Sequence, residues 1–233
     1  MSGRKIKQEV LDILASSDLD LVSRRLCQYA EKDLVGPLFS ALSRPEETIR
    51  WHAITVFGQV LPRLADHEME AARIVMRRFL WSLNDESGGI CWGAPEAMAE
   101  VMLHHDRLAA EYLHMLISYL QPDGPLEHQD GNFLELPSLQ RGLLWGIGRL
   151  AEKRAEFLIA RGVPADLLSY LQSEDGCVRG LAVRALGRLR AAGVREAIVA
   201  LAEDKSPVLF YENGVVRTIA VAELVADALA RVE

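Results

Sequence analysis

The sequence predicts an all-α fold, a right-handed α–α superhelix of about six stacked helix pairs. Three observations carry this. A pattern of apolar and small residues recurs at intervals of roughly 40 positions. Each copy is preceded by a second run with helical periodicity, and no stretch alternates with period two well enough to mark a strand.

The recurring pattern is clearest when Glu47 to Leu61 is set beside Gly88 to Met102, where Ile, Trp, Ala and a small residue recur in register. Leu139 to Leu150 fits the same template, and Cys177 to Leu189 fits it best. Val216 to Ala220, continued to Leu224 and Val225, closes the series as the expected start of the last helix. Matched small or apolar positions are Gly58, Ala99, Gly148, Gly187 and Val225, with spacings of 41, 49, 39 and 38. The preceding runs are Lys32 to Leu42, Ala72 to Leu83, Leu108 to Leu120, Pro164 to Leu171 and Val194 to Leu201. In the second of these, Ala72, Val75, Met76, Phe79, Leu80 and Leu83 follow the stripe of an amphipathic helix. The unit is therefore two antiparallel helices, the second of which carries the template. Small residues at Gly58, Gly148 and Gly187 are expected to let neighbouring helices approach closely.

Val178-Arg179-x-x-Ala182-x-x-Ala185-Leu186-Gly187 resembles the second helix of a HEAT repeat, and more narrowly the bilin-lyase-like subtype. The resemblance covers residues 32–233 as five repeats, with residues 1–31 (Lys5 to Ala30) as a degenerate capping pair, all in a single domain spanning 1–233. Leu83 to Met98 and Arg141 to Gly146 also resemble a small group of uncharacterised bacterial HEAT proteins. The resemblance implies that Arg50, Arg179 and Arg217 are rungs of a ladder, paired with acidic residues of the intra-repeat turns such as Asp175 or Asp204. Cys91 and Gln140 then interrupt that ladder. It also implies that the second helices line a concave surface.

Composition bounds the function. The chain has 233 residues and a net charge of −7 from 26 Lys and Arg against 33 Asp and Glu, which argues against a general nucleic-acid or membrane-surface binder. No apolar run is long enough for a membrane span, and Met1 to Lys5 leads straight into an amphipathic pattern without a signal peptide. Cys27, Cys91 and Cys177 lie far apart, so neither a disulfide framework nor a zinc cluster is expected, and the expected compartment is the cytoplasm.

One stripe of the template carries polar residues. Thr55, Gln59 and Arg63 correspond to Glu96, Glu100 and His104, then to Trp145, Arg149 and Lys153, then to Arg184 and Arg188. On a concave surface these make adjoining columns, one acidic and two basic, that suit a partner of matching charge. Trp145 beside Arg149 is the expected anchor. Trp51 and Trp92 occupy equivalent positions and are expected to pack between repeats, while Trp81 reads as core or edge. Three insertions fall between the first and second helices of their units: Asp85 to Gly89, Gln121 to Leu136 and Ser206 to Gly214. They place Asn84, Asp85, Glu86, His128 and Asn132 on one edge beside the groove.

Catalytic chemistry has little to build on. Asp85, Glu86, Glu127, His128, Asp130 and Glu135 include carboxylates and an imidazole, but without metal-ligand spacing. Glu96, Glu100 and His104 share a helix face that also suits a solvated surface. Ser87 and Cys91 lack an identifiable base. The expected function is a non-enzymatic scaffold or adaptor for a protein or peptide, with no cofactor and no metal. Two alternatives remain open: a lyase-like or chromophore-handling protein, and a DNA-processing protein of the alkylation-repair type.

Overall fold

A computed structural model describes residues 3–84, 92–124 and 132–232. Asp85, Glu86, Ser87, Cys91, Glu127, His128 and Asp130 lie outside the described residues. The elements run α1 (Gly3–Leu14), α2 (Leu19–Leu26), α3 (Glu31–Leu42), α4 (Glu47–His67), α5 (Met69–Leu83), α6 (Ala94–His104) and α7 (Asp106–Ser118). They continue with α8 (Pro137–Ala160), α9 (Val163–Tyr170), α10 (Gly176–Leu189), α11 (Arg195–Val199), β1 (Pro207–Glu212), β2 (Val215–Ala220) and α12 (Val221–Leu229). Helices thus alternate as first and second members of successive pairs, which is the all-α repeat architecture read from the template.

The chain groups into two compact units. Unit 1 comprises Met1–Tyr112 with Tyr211–Val216, and unit 2 comprises Leu113–Phe210 with Arg217–Glu233. Within unit 1, α4 packs against α3, α5 and α6. Its core is an aromatic cluster in which Phe39, Phe57 and Phe79 approach pairwise with centroids 4.6 to 5.2 Å apart. Leu38, Ile54, Leu61 and Met76 are also fully buried. Within unit 2, α10 packs against α8, α9 and α12 over a layer that includes Leu144, Ile147, Val178, Ala182 and Val225.

Close helix approach depends on the expected small residues. A Cβ added at Gly58 would stand 3.0 Å from the Cβ of Glu100 on α6, and one at Gly187 would stand 2.7 Å from the Cα of Ala228 on α12. At Gly148 the space is taken by an Arg184 guanidinium nitrogen, 2.6 Å from where a Cβ would sit.

Helix starts follow local capping. Asp18 caps α2 by accepting from the Leu21 amide at 2.9 Å. Asp175 caps α10 by accepting from the Cys177 and Val178 amides at 2.9 and 3.1 Å. Pro95 and Pro137 stand in the first turns of α6 and α8, where the missing N–H has no intrahelical partner to lose.

The ladder differs from its expected form. Arg179 pairs with Asp204 through Nε and Nη2 at 2.8 and 2.6 Å. Asp175 pairs instead with Arg141, Nε lying 3.1 Å from Oδ2, so the rung that Gln140 seemed to interrupt is supplied one residue later. Arg50 turns back along its own helix to Glu47. Burial alone would raise the Asp175 carboxyl, but Arg141 and the two amide donors hold it below its ordinary value.

A second correction concerns the last repeat. Val216 to Ala220 is not the opening of a helix but strand β2, paired with β1 as a two-stranded hairpin. The loop is Asn213-Gly214, with φ of 51° and 81°; positive φ at both central residues is the type I′ geometry that Asn-Gly favours. Arg217 is accordingly a strand residue, not a rung on a helix. Val208 fills the space left by Gly180, where an added Cβ would come within 2.6 Å of it.

Gly187→Val should therefore destabilise the protein by about 1–3 kcal/mol through overpacking against Ala228. Gly36→Ala, in α3 with nothing within 4 Å of its missing side chain, should stabilise by up to about 1 kcal/mol. Urea unfolding of both variants checks the contrast.

Candidate functional site

Part of the polar stripe of the second helices is covered. Glu96, Glu100, Trp145 and Arg184 are buried, and Trp145 is only 3% exposed. The side chain expected as a bare anchor thus lies beneath the surface. It does so because α8 and α10 approach closely over Gly148, and Arg184 reaches back across α8 to place Nη1 3.5 Å from the Trp145 carbonyl. The Arg184 guanidinium also stands 5.1 Å from the centroid of Phe210, with that of Arg217 at 5.4 Å, so two cations flank one ring.

Arg149 and Arg188 reach the surface. They come from the successive second helices α8 and α10 and meet on one carboxylate, Glu152. Arg188 Nη1 lies 3.5 Å from Glu152 Oε1, and the two arginine side chains are 28% and 26% exposed. Lys153 is exposed next to Glu152 on the same helix. Two arginines from successive second helices thus share the Glu152 carboxylate on this face of unit 2. Among the described edge residues, Asn84 is exposed and Asn132 half-buried.

Unit 1 contains a buried acid. Glu96 sits in the first turn of α6 with its carboxyl enclosed, and Oε2 has no hydrogen-bond partner. Burial pushes its pKa up to about 7; its own backbone amide and the charge of Arg50 oppose the rise, and Glu47 adds to it. On α4, Arg50 Nη2 contacts Glu47 Oε1 at 2.7 Å, leaving its buried Nε without a partner, and Trp51 Nε1 donates to Glu47 Oε2 at 3.1 Å. Trp51 in turn stacks on Tyr211, centroids 4.6 Å apart, and the Tyr211 hydroxyl lies 2.7 Å from Thr55 Oγ1. Glu100 stands over Gly58, its carboxylate 3.5 Å from His104 Nε2. Among the described residues, no three His, Cys, Asp or Glu side chains gather to hold a metal ion.

The tryptophans separate. Trp51 is buried, but Trp92 precedes the late-starting α6 and is 42% exposed, so the two are not equivalent in packing. Trp81, read as core or edge, is 83% exposed. The signal that places it was present: Trp81 falls on the side of the helix opposite the stripe of Ala72, Val75, Met76, Phe79 and Leu83.

No protein-family model matches the chain. It is 30% identical over 115 residues to an uncharacterized protein of Archaeoglobus fulgidus, a match covering 49% of this chain and 52% of that one. The chain thus spans about half the length of the curated relative it matches. Among solved structures, an engineered protein aligns over 97% of each chain with a TM-score of 0.52 and 13% identity. A designed armadillo repeat protein, solved in complex with the peptide (KR)4, aligns over 97% of this chain and 98% of its own, with a TM-score of 0.50 and 16% identity. These likenesses show the fold alone, a helical repeat fold of the armadillo kind.

Glu96 gives a pH prediction with a definite sign. Its folded pKa of about 7 exceeds the ordinary 4.5, so the folded chain binds more protons between those values and stability falls as pH rises through them. In Glu96→Gln that part of the slope should vanish, leaving the variant more stable than wild type at pH 8 relative to pH 4, by on the order of 3 kcal/mol. Denaturant unfolding across that range measures it, and parallel curves for the two proteins would exclude a raised acid.

Proposed function

We propose that the chain is a non-enzymatic scaffold that binds a protein or peptide partner along the stripe of its second helices. The observation that carries this reading is the meeting of Arg149 and Arg188 from successive second helices on the single carboxylate of Glu152. A repeat face that presents arginines from successive helices gives each repeat one contact on an extended partner, and charge complementarity there sets specificity and encounter rate. Trp145 and Arg184, packed beneath, fix the positions of these side chains instead of touching the partner first. Glu96 and Glu100, expected on the same stripe, are enclosed in unit 1 and do not reach a partner. Of the loop residues expected beside the groove, Asn84 belongs to unit 1 and Asn132 to unit 2, and Asp85, Glu86 and His128 lie outside the described residues. The bilin-lyase-like subtype rests on the Val178 to Gly187 motif alone, and a cytoplasmic setting is part of the reading. In the structure, no helix among the described residues is long and apolar enough to cross a membrane.

Reversing both charges, Arg149→Glu with Arg188→Glu, should weaken partner capture from the native cell by about tenfold or more. The helical circular dichroism signal should not change. Equal capture by wild type and the double variant would remove this stripe from the reading.

A further inference from the structure

Helix α5 has two unlike faces. Ala72, Val75, Met76, Phe79 and Leu83 are buried in unit 1, so the helix is already seated. On the other side Ile74, Arg77, Arg78 and Trp81 fall at i, i+3, i+4 and i+7, one stripe of the helix, and all four are exposed. Ile74 is 57% exposed and Trp81 83%. A soluble chain tolerates scattered apolar side chains on its surface. An indole held bare one helical repeat from an isoleucine, with arginines between, has instead the composition of an interface hot spot.

Arg78 defines what that interface takes. Its guanidinium carbon lies 3.9 Å from the centroid of Phe39, stacked on the ring. The cation–π contact uses none of the N–H donors in a hydrogen bond, so they remain for a carboxylate, which a guanidinium can hold in a bidentate pair. Neighbouring cations are already committed, Arg73 to Glu111 and Arg77 to Glu70. Arg78 has no carboxylate partner among the described residues.

We propose that this stripe of α5 docks a segment of another protein that sets an apolar side chain on Trp81 and Ile74 and a carboxylate on Arg78. The surface belongs to a first helix, so it stands independently of the stripe on the second helices. The charge left uncompensated at Arg78 selects an acidic partner segment over a basic one, and the bare indole selects one whose acidic residue has an apolar neighbour.

The test is selection of a random-peptide phage library against the full chain, followed by fluorescence anisotropy on the enriched peptides. The expected result is enrichment of Asp or Glu beside Leu, Ile or Phe. Trp81→Ala and Arg78→Ala should each weaken binding about tenfold or more, with Arg78→Lys intermediate because the ammonium keeps charge without the fork. Arg149→Glu with Arg188→Glu should leave this binding unchanged, which separates the present proposal from the second-helix reading. Thermal unfolding of each variant confirms that the helix is intact. The proposal is overturned if no peptide is enriched, if enriched peptides lack carboxylates, or if they bind Trp81→Ala as tightly as wild type. It is equally overturned if sedimentation shows self-association that Trp81→Ala abolishes, since a second copy of the chain would then cover the face.

Discussion

Contact between second helices at glycine positions is the constraint on which the rest of this structure depends. Side chains on both helices would normally hold two axes about 8–10 Å apart. At Gly58, Gly148 and Gly187 one side contributes none, and the facing residue moves into the space. What moves in differs at each contact: the stem of Glu100, the guanidinium of Arg184, the backbone of Ala228. The same device therefore makes a packing contact in one place and buries a charged group in another. The enclosed polar layer of the second helices follows from this closeness, while Gln59, His104, Arg149, Lys153 and Arg188 on the same stripe keep contact with water.

Burial of charge is managed differently in the two units. In unit 2 the cations of Arg184 and Arg217 stand near the ring of Phe210, and Arg179 has both a carboxylate and two carbonyls as acceptors. In unit 1 the enclosed carboxyl of Glu96 is left with an unsatisfied oxygen while nearby Arg50 is held by Glu47. A buried ion costs more than a buried acid. Glu96 therefore holds its proton far more readily than an exposed glutamate.

Much of the architecture was legible because helix pairing leaves a period in the sequence that packing cannot hide. The template from Cys177 to Leu189 marks α10 almost to the residue, and Pro95 and Pro137 mark two late helix starts. Legibility failed where a local rule competed with the repeat. Asn213-Gly214 is a strong hairpin signal, yet Val216 to Ala220 matches the helical template closely enough to mask it. Strand alternation is also blurred there, because Phe210 and Tyr211 are both buried. The site was harder still. Periodicity assigns residues to a stripe but not to a depth, so Trp145 and Arg149 look alike in sequence and differ in exposure. The exposure of Trp81, by contrast, was legible, since it falls opposite the apolar stripe of its helix.

The hairpin tip has a consequence for the order in which the chain folds. Unit 1 is discontinuous, since Tyr211–Val216 belongs to it along with the first 112 residues. Tyr211 stacks on Trp51 and hydrogen-bonds Thr55, 156 positions earlier. The helices of unit 1 close through short-range contacts, whereas this last contact requires a long loop to close. During synthesis the indole of Trp51 therefore stays uncovered while the intervening residues are made. Unit 1 is completed only by a segment that is synthesised after most of unit 2.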